Sequence, residues 1–292
     1  MPIPVNSACI QCHLNKQIDL VRSLKGEETA TAFAKDMLRI FLELPEGRDS
    51  SFISQRVALL LHHYCDLPLD RFREEKEQSN AFALERVNQM QQMIKAAQDP
   101  IYTALQLAVL GNYLDFAALY GKVSFQELTG LLDKAKEIHL QKEAYAQFLM
   151  DLNRAKSFLL ITDNAGEIVF DRVLADTLQQ AFPELKITFM VRGGPAHNDA
   201  TLEDARAIGL PYPVLSSGAA IGGTPLSEIS AEAKAAIAEA DVILAKGMGN
   251  TESLYGCGYP VYYAFLVKCA RFQEFFQMPL MSPMLVKDPN YK

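Results

Sequence analysis

The sequence predicts an α/β protein: a helical amino-terminal domain over residues 1–152, then an α/β domain over residues 153–292 built on a parallel, helix-covered sheet. Three observations lead there. Only five of the 16 glycines (Gly26, Gly47, Gly111, Gly121 and Gly130) fall in the first 150 residues; helix interiors avoid glycine, whereas tight strand-to-helix turns need it. The first half repeats its apolar residues at helical spacing. Beyond about residue 155, short apolar runs alternate with helical ones, the pattern of strands joined by crossover helices.

In chain order, ETATAFAKDMLRIFLEL (28–44) puts Ala32, Met37, Ile40, Phe41 and Leu44 on a helical period. His62 and His63, after VALLL, read as residues of a packed helix, and the charge run REEKE (73–77) as a solvated helix face. FALERVNQMQQMIKAAQD (82–99) reads as one helix until Pro100 interrupts it. DPIYTALQLAVLGNYLDFAALYG (99–121) and SFQELTGLLDKAKEIHLQKEAYAQFLMDLN (124–153) read as further helices. The second half then runs SFLLIT and helical IVFDRVLADTLQQAF; KITFMV and LEDARAIG; AEAKAAIAEA and VILAKG; and finally YYAFLVK and SPMLV.

Composition narrows the function. With 49% hydrophobic and 22% charged residues the chain has ordinary globular usage. A net charge of -7 and a pI near 5.3 give no basic footprint for nucleic-acid phosphates, so no nucleic-acid partner is expected. No apolar run approaches the roughly 20 residues of a membrane span, and the first residues lack a basic start followed by an apolar stretch. The expectation is a cytoplasmic protein without a membrane partner. Five cysteines, an odd number without an export signal, are expected as thiols. CIQCH (9–13) matches a haem-attachment pattern but lacks that context, and a zinc half-site would lack its second pair. Cys9 and Cys12 are therefore expected on one helical face packed against the second domain.

Ligands of parallel sheets bind beyond the carboxyl ends of the strands. Three such ends carry polar, glycine-bearing sequence: TDNAGE (162–167), RGGPAHNDAT (192–201) and KGMGNTE (246–252). If the strands are parallel, these loops open on one edge and Asp163 and Asn164 come within reach of Asp199. Two carboxylates and an amide oxygen are hard donors that suit Mg²⁺ or Mn²⁺ better than zinc. The bland alternative is a helix cap or Asx turn at Asp163-Asn164, with Asn198, Asp199 and Thr201 capping the next helix. In KGMGNTE, Gly247 and Gly249 free backbone N–H groups, Lys246 adds charge, and a helix starting near Thr251 would present its positive end to a phosphate. The alternative there is a plain turn with a solvated lysine. The spacing is not that of a Walker loop, and Glu252 stands where a dinucleotide fingerprint has its third glycine.

Taken together, TDNAGE, GGPAHNDAT and KGMGNTE resemble the metal-dependent phosphatases of the domain-of-unknown-function 89 family, the damage-control phosphatases, and most of all their prokaryotic branch. CIQCHLNKQ and GNYLD, with Gly111, Asn112 and Asp115, extend the resemblance over nearly the whole chain. It implies a Rossmann-like three-layer α/β/α domain behind a helical amino-terminal domain. It implies Asp163, Asn164 and Asp199 as metal ligands, and Lys246 and Asn250 around the phosphate, with Gly247, Gly249 and Glu252 in the same turn. Asn112 and Asp115 would line the pocket, or cap a helical hairpin. The implied activity is hydrolysis of small phosphorylated metabolites, sugar phosphates or damaged cofactor intermediates, with a divalent ion (Mn²⁺, Mg²⁺, Ni²⁺ or Co²⁺).

The implied chemistry is mostly positioning and electrostatics: a dication and Lys246 neutralise the phosphoryl group, backbone amides from Gly247 to Asn250 hold its oxygens, and water attacks in line. Asp163 or Glu167 takes the proton. His197 is expected as a loop residue bordering the pocket. An S-adenosylmethionine-dependent methyltransferase is the rival enzyme, but no glycine-rich loop follows the first strand and the second ends in Val191-Arg192-Gly193. A non-catalytic metabolite-binding protein is the other. Serine-hydrolase chemistry lacks its Gly-x-Ser-x-Gly elbow.

Overall fold

The computed structural model describes residues 2–115 and 130–291. The expected helical stretches 116–121 and 124–129, with Gly121, lie outside the described residues. The first half contains α1 (Ser7–Leu42), α2 (Ser51–Cys65), α3 (Arg73–Leu84), α4 (Val87–Lys95), α5 (Pro100–Gly111) and α6 (Lys142–Leu152). The second contains β1 (Ser157–Ile161), α7 (Glu167–Ala181), β2 (Lys186–Val191), α8 (Leu202–Ala207), β3 (Val214–Ser216), α9 (Ala231–Glu239), β4 (Val242–Lys246), α10 (Gly247–Leu254), β5 (Val261–Leu266), α11 (Ala270–Phe276) and β6 (Pro283–Lys287).

Local chemistry sets several boundaries. Asp99 opens α5 by accepting from the Tyr102 amide at 2.9 Å, with Pro100 in the first turn where its missing N–H costs nothing. α1 bends at Gly26, whose φ of 83° only glycine adopts freely. Three expectations need correction. The single helix over 82–99 is two, α3 and α4, parted at Glu85–Arg86. The stretch before α6 is a 3-10 segment, Leu131–Glu137, and α6 starts only at Lys142. The helix after KGMGNTE begins at Gly247 rather than near Thr251. β3, three half-buried residues, is too short to leave a pattern in the sequence.

The six strands form one sheet in the order β3-β2-β1-β4-β5-β6. All neighbours are parallel except β5 and β6, which pair antiparallel. Side chains alternate between faces. Phe158 and Leu160 of β1 join Val242 and Leu244 of β4 and Tyr262 and Ala264 of β5 in one apolar cluster with α3 to α7. Leu159, Ile161, Ile243, Val261 and Tyr263 point into a second cluster with α9 and α11. Helices thus cover both faces, and α3 to α6 share the sheet's own core. α1 and α2 pack on each other in a separate small cluster around Phe33, Met37, Ile53 and Leu61.

β1 lies between β2 and β4, and the crossover from β1 uses the opposite face from the turn after β4. The order reverses here, and the loops leaving β1 and β4 diverge to open a crevice beyond their carboxyl ends.

Candidate active site

At the end of β1, Thr162 is tied to β2 through its amide, which donates to Met190 O at 3.0 Å. The chain then turns through Gly166 (φ 77°), whose amide donates to Asn80 Oδ1 at 2.7 Å. A Cβ on Gly166 would stand 2.9 Å from Ser79 backbone and side-chain atoms, so only glycine lets this turn pack on α3. α7 begins at Glu167 without a side-chain cap. Asp163 and Asn164 therefore do not cap that helix. Nor does Asp199 cap α8, whose first turn is closed by a reciprocal box between Thr201 and Asp204.

Instead the two loops pair. Ala200 N donates to Asp163 O at 2.7 Å and Ala165 N to Asn198 O at 2.9 Å, and Asn164 and Asp199 form an antiparallel bridge. The oxygens expected to meet are on facing backbones.

Their side chains sit in a dense polar network. Asp163 Oδ2 accepts from Asn112 Nδ2 at 3.1 Å and Asn164 Nδ2 at 2.8 Å. Both amides also donate to Glu167 Oε2, at 2.8 and 2.9 Å. Asp199 Oδ2 accepts from Arg192 Nε at 2.6 Å, and Arg192 Nη2 stands 3.6 Å from Asp163 Oδ1. That Nη2 has no hydrogen-bond partner although Arg192 is buried. Burial first, then repulsion from Asp199, Glu167 and Asp115, pushes Asp163 well above the usual carboxylate range. Burial pushes Asp199 up to about 6, against the opposing pull of Arg192. Arg192 sets one guanidinium between two carboxylates, Asp163 and Asp199, so this pair keeps an excess of negative charge.

This cluster faces a cavity of about 230 Å³. Asp163, Asn164, Asp199, Asp115, Gly249 and Glu252 line it, as does His197, which burial holds down to about 4. Among the described residues, no three His, Cys, Asp or Glu side chains form a metal cage by themselves. A dication here would rest on Asp163, Asn164 and Asp199, two carboxylates and an amide oxygen, and that hard donor set in an acid-rich wall fits one.

Lys246 and Asn250 require correction. The Lys246 ammonium is fully buried and saturated, donating to Glu167 Oε1 at 2.7 Å, Asp171 Oδ1 at 2.6 Å and Ala108 O at 2.9 Å. It has no donor left for a phosphate. Asn250 is equally enclosed: its amide donates to Thr162 O and Lys246 O, and its Oδ1 accepts from Arg192 Nη1 at 2.8 Å. Glu167 is committed at both oxygens, to Lys246 and to the two asparagines, which removes it as a proton acceptor. Gly247 is forced less by an anion than by Asp163, since a Cβ would fall 1.9 Å from its Oδ2.

The cations that do reach the cavity are Lys268 and Lys16, which the sequence reading did not select. Lys268 follows β5, pairs with Asp115 at 3.0 Å and also donates to Asn112 O. Its place just past a strand end was the available signal. Lys16 comes from α1, and only the tertiary fold brings it there. Of the two amino-terminal thiols, Cys9 is half-buried near Cys269 at the start of α11, while Cys12 is exposed, so the shared packed face holds only for Cys9.

Residues 5–281 match the family model described as the damage-control phosphatase ARMT1-like domain. A damage-control phosphatase from Archaeoglobus fulgidus is 31% identical over 273 residues, 91% of this chain and 92% of that one. Another, from Pyrococcus horikoshii, is 35% identical over 153 residues, 52% of each chain. The crystal structure of a DUF89 family protein from P. horikoshii aligns with a TM-score of 0.80 at 24% identity, covering 97% of this chain and 99% of that one, a likeness of fold.

Proposed function

This chain belongs to the damage-control phosphatase ARMT1-like family, and on that premise we propose that it is a divalent-metal-dependent phosphomonoesterase acting on small phosphorylated metabolites. The observation that carries the reading is the pairing of the Asp163-Asn164 and Asp199 loops at the wall of an acid-rich cavity beyond β1 and β4.

A bound dication supplies Lewis-acid neutralisation of the phosphoryl group at Asp163, Asn164 and Asp199. Arg192 fixes both carboxylates from behind, and Asn250 and Thr224 fix Arg192 in turn. Lys268 and Lys16 supply positive charge at the cavity wall, together with the first-turn amides of α10 around Met248 and Gly249. Water attacks phosphorus in line as the ester P–O bond breaks; the alcohol departs with a proton and inorganic phosphate remains.

The test is phosphate release by the chelator-treated full chain with Mn²⁺, Mg²⁺, Ni²⁺ or Co²⁺ added singly. Release is expected only with added metal, and Asp163→Asn is expected to lower it by about two orders of magnitude or more without loss of stability. Near-normal turnover by that variant removes the mechanism. Calorimetric binding of S-adenosylmethionine, or phosphometabolite binding without release, would transfer the site to the methyltransferase or to the non-catalytic reading.

A further inference from the structure

Beside the acidic cavity lies a second one of about 100 Å³, more enclosed, sharing His13, Ser54, His197 and Gly222 with it. The two spaces therefore adjoin, with those four residues lining both. The second is walled by apolar side chains of α2 and the following loop, among them Val57, Ala58, Leu61 and Phe72. One polar group stands out in that wall. Gln17 of α1 is only 4% exposed, and its Oε1 has no hydrogen-bond partner. A buried amide oxygen left without a donor is costly, and such groups in native proteins mark an absent water or ligand.

We propose that this annex receives the organic group carried by the phosphate, and that it selects a compact, uncharged, largely apolar group bearing one hydrogen-bond donor for Gln17. The inference rests on the phosphatase reading for the phosphate itself. It narrows the substrate class away from polyhydroxylated sugars, whose hydroxyls would meet apolar Val57, Ala58, Leu61 and Phe72 and, besides Gln17, only a few polar side chains. Its size sets the scale, since an apolar cavity of about 150 Å³ is known to admit benzene and this one adjoins further space. Arg71 is the formal charge in the lining, but its guanidinium carbon lies 4.8 Å from the Phe72 ring centroid, along an aromatic face. An anionic leaving group is thus the alternative the test must separate.

The probes are phenol, its near-isostere toluene, and benzoate, titrated into the metal-free full chain and followed by NMR. Phenol is expected to bind saturably, about fivefold or more tighter than toluene, with benzoate weaker still. Ala58→Phe fills the annex and is expected to abolish phenol binding. Gln17→Met keeps the volume and is expected to erase the preference for phenol over toluene, which gives a second reading if Ala58→Phe fails to fold. With a dication present, Ala58→Phe is expected to lower the ratio of kcat/KM for phenyl phosphate to that for glycerol 3-phosphate at least tenfold. No saturable phenol binding, binding indifferent to both variants, or tightest binding of benzoate overturns the annex. Phenol binding without phosphate release under any dication instead retains the annex as a binding site and overturns the phosphatase reading.

Discussion

At the scale of single residues, burial decides which acids and bases can act. Lys246 looked like a phosphate ligand because a lysine beside two glycines at a strand end usually is solvated or anion-bound. In the fold it neutralises Glu167 and Asp171, and the pair it makes with Glu167 spans 79 residues of sequence, a separation that no local pattern encodes. Lys246→Met should therefore act on stability: it strands two buried carboxyls and is expected to cost about 3–5 kcal/mol in urea denaturation. An unchanged midpoint together with a raised KM would restore Lys246 to the phosphate. Glu252 gives a pH signature. Burial, only partly offset by the Ser50 hydroxyl, pushes it up to about 7 from an ordinary 4.5. The protonated carboxyl then favours the folded state, fully below about pH 4.5, and that contribution is lost as pH rises through about 7. Glu252→Gln is expected to flatten this part of the stability profile and to gain up to about 3 kcal/mol on the parent above pH 7. Equal slopes for the two proteins between pH 5 and 8 would contradict it.

At the scale of elements, the turn from β4 into α10 carries the tightest constraint. β4 delivers Lys246 inward and Gly247 (φ 77°) immediately redirects the chain into helix, under the Asp163 carboxylate. Gly247→Ala adds a left-handed backbone cost of roughly 1–2 kcal/mol and drives a methyl into Asp163 Oδ2. Activity is expected to fall by about tenfold or more beyond what the lost stability explains, read as kcat at a temperature where the variant stays folded. Unaltered kcat would mean that Asp163 can move without consequence. The neighbouring turn at Gly166 was legible as a glycine requirement, but its reason, contact with Ser79 of α3, was not. The split of 82–99 into α3 and α4 escaped the sequence because no proline or glycine marks Glu85–Arg86.

At the scale of the molecule, the core of the described residues falls into three clusters. The sheet and α3 to α7 share one continuous cluster, with a second on the far face, whereas α1 and α2 hold their own smaller cluster. α1 and α2 nonetheless furnish His13, Lys16, Gln17 and Ser54 to the two cavities. Phe33→Ala, at a fully buried position of that small cluster, is expected to cost about 3–5 kcal/mol. Hydrogen exchange is expected to speed up across α1 and α2 while β1 and β4 keep their protection. Uniform loss of protection would show that the small cluster does not open separately.

The alternation of apolar runs with helical stretches determined the parallel sheet, because side-chain period and turn chemistry are local properties written residue by residue. It also determined that TDNAGE, RGGPAHNDAT and KGMGNTE leave the sheet on one edge, since parallel strands must end together. Tertiary structure alone decided which polar side chains on that edge face open space. Asp163, Asn164 and Asp199 line the cavity, while Lys246, Asn250 and Glu167 are consumed by partners most of which lie tens of residues away. Lys16 and Lys268 line the cavity in place of Lys246 because charge satisfaction inside a core depends on what packs across it, and that is set by distant segments rather than by neighbours in sequence.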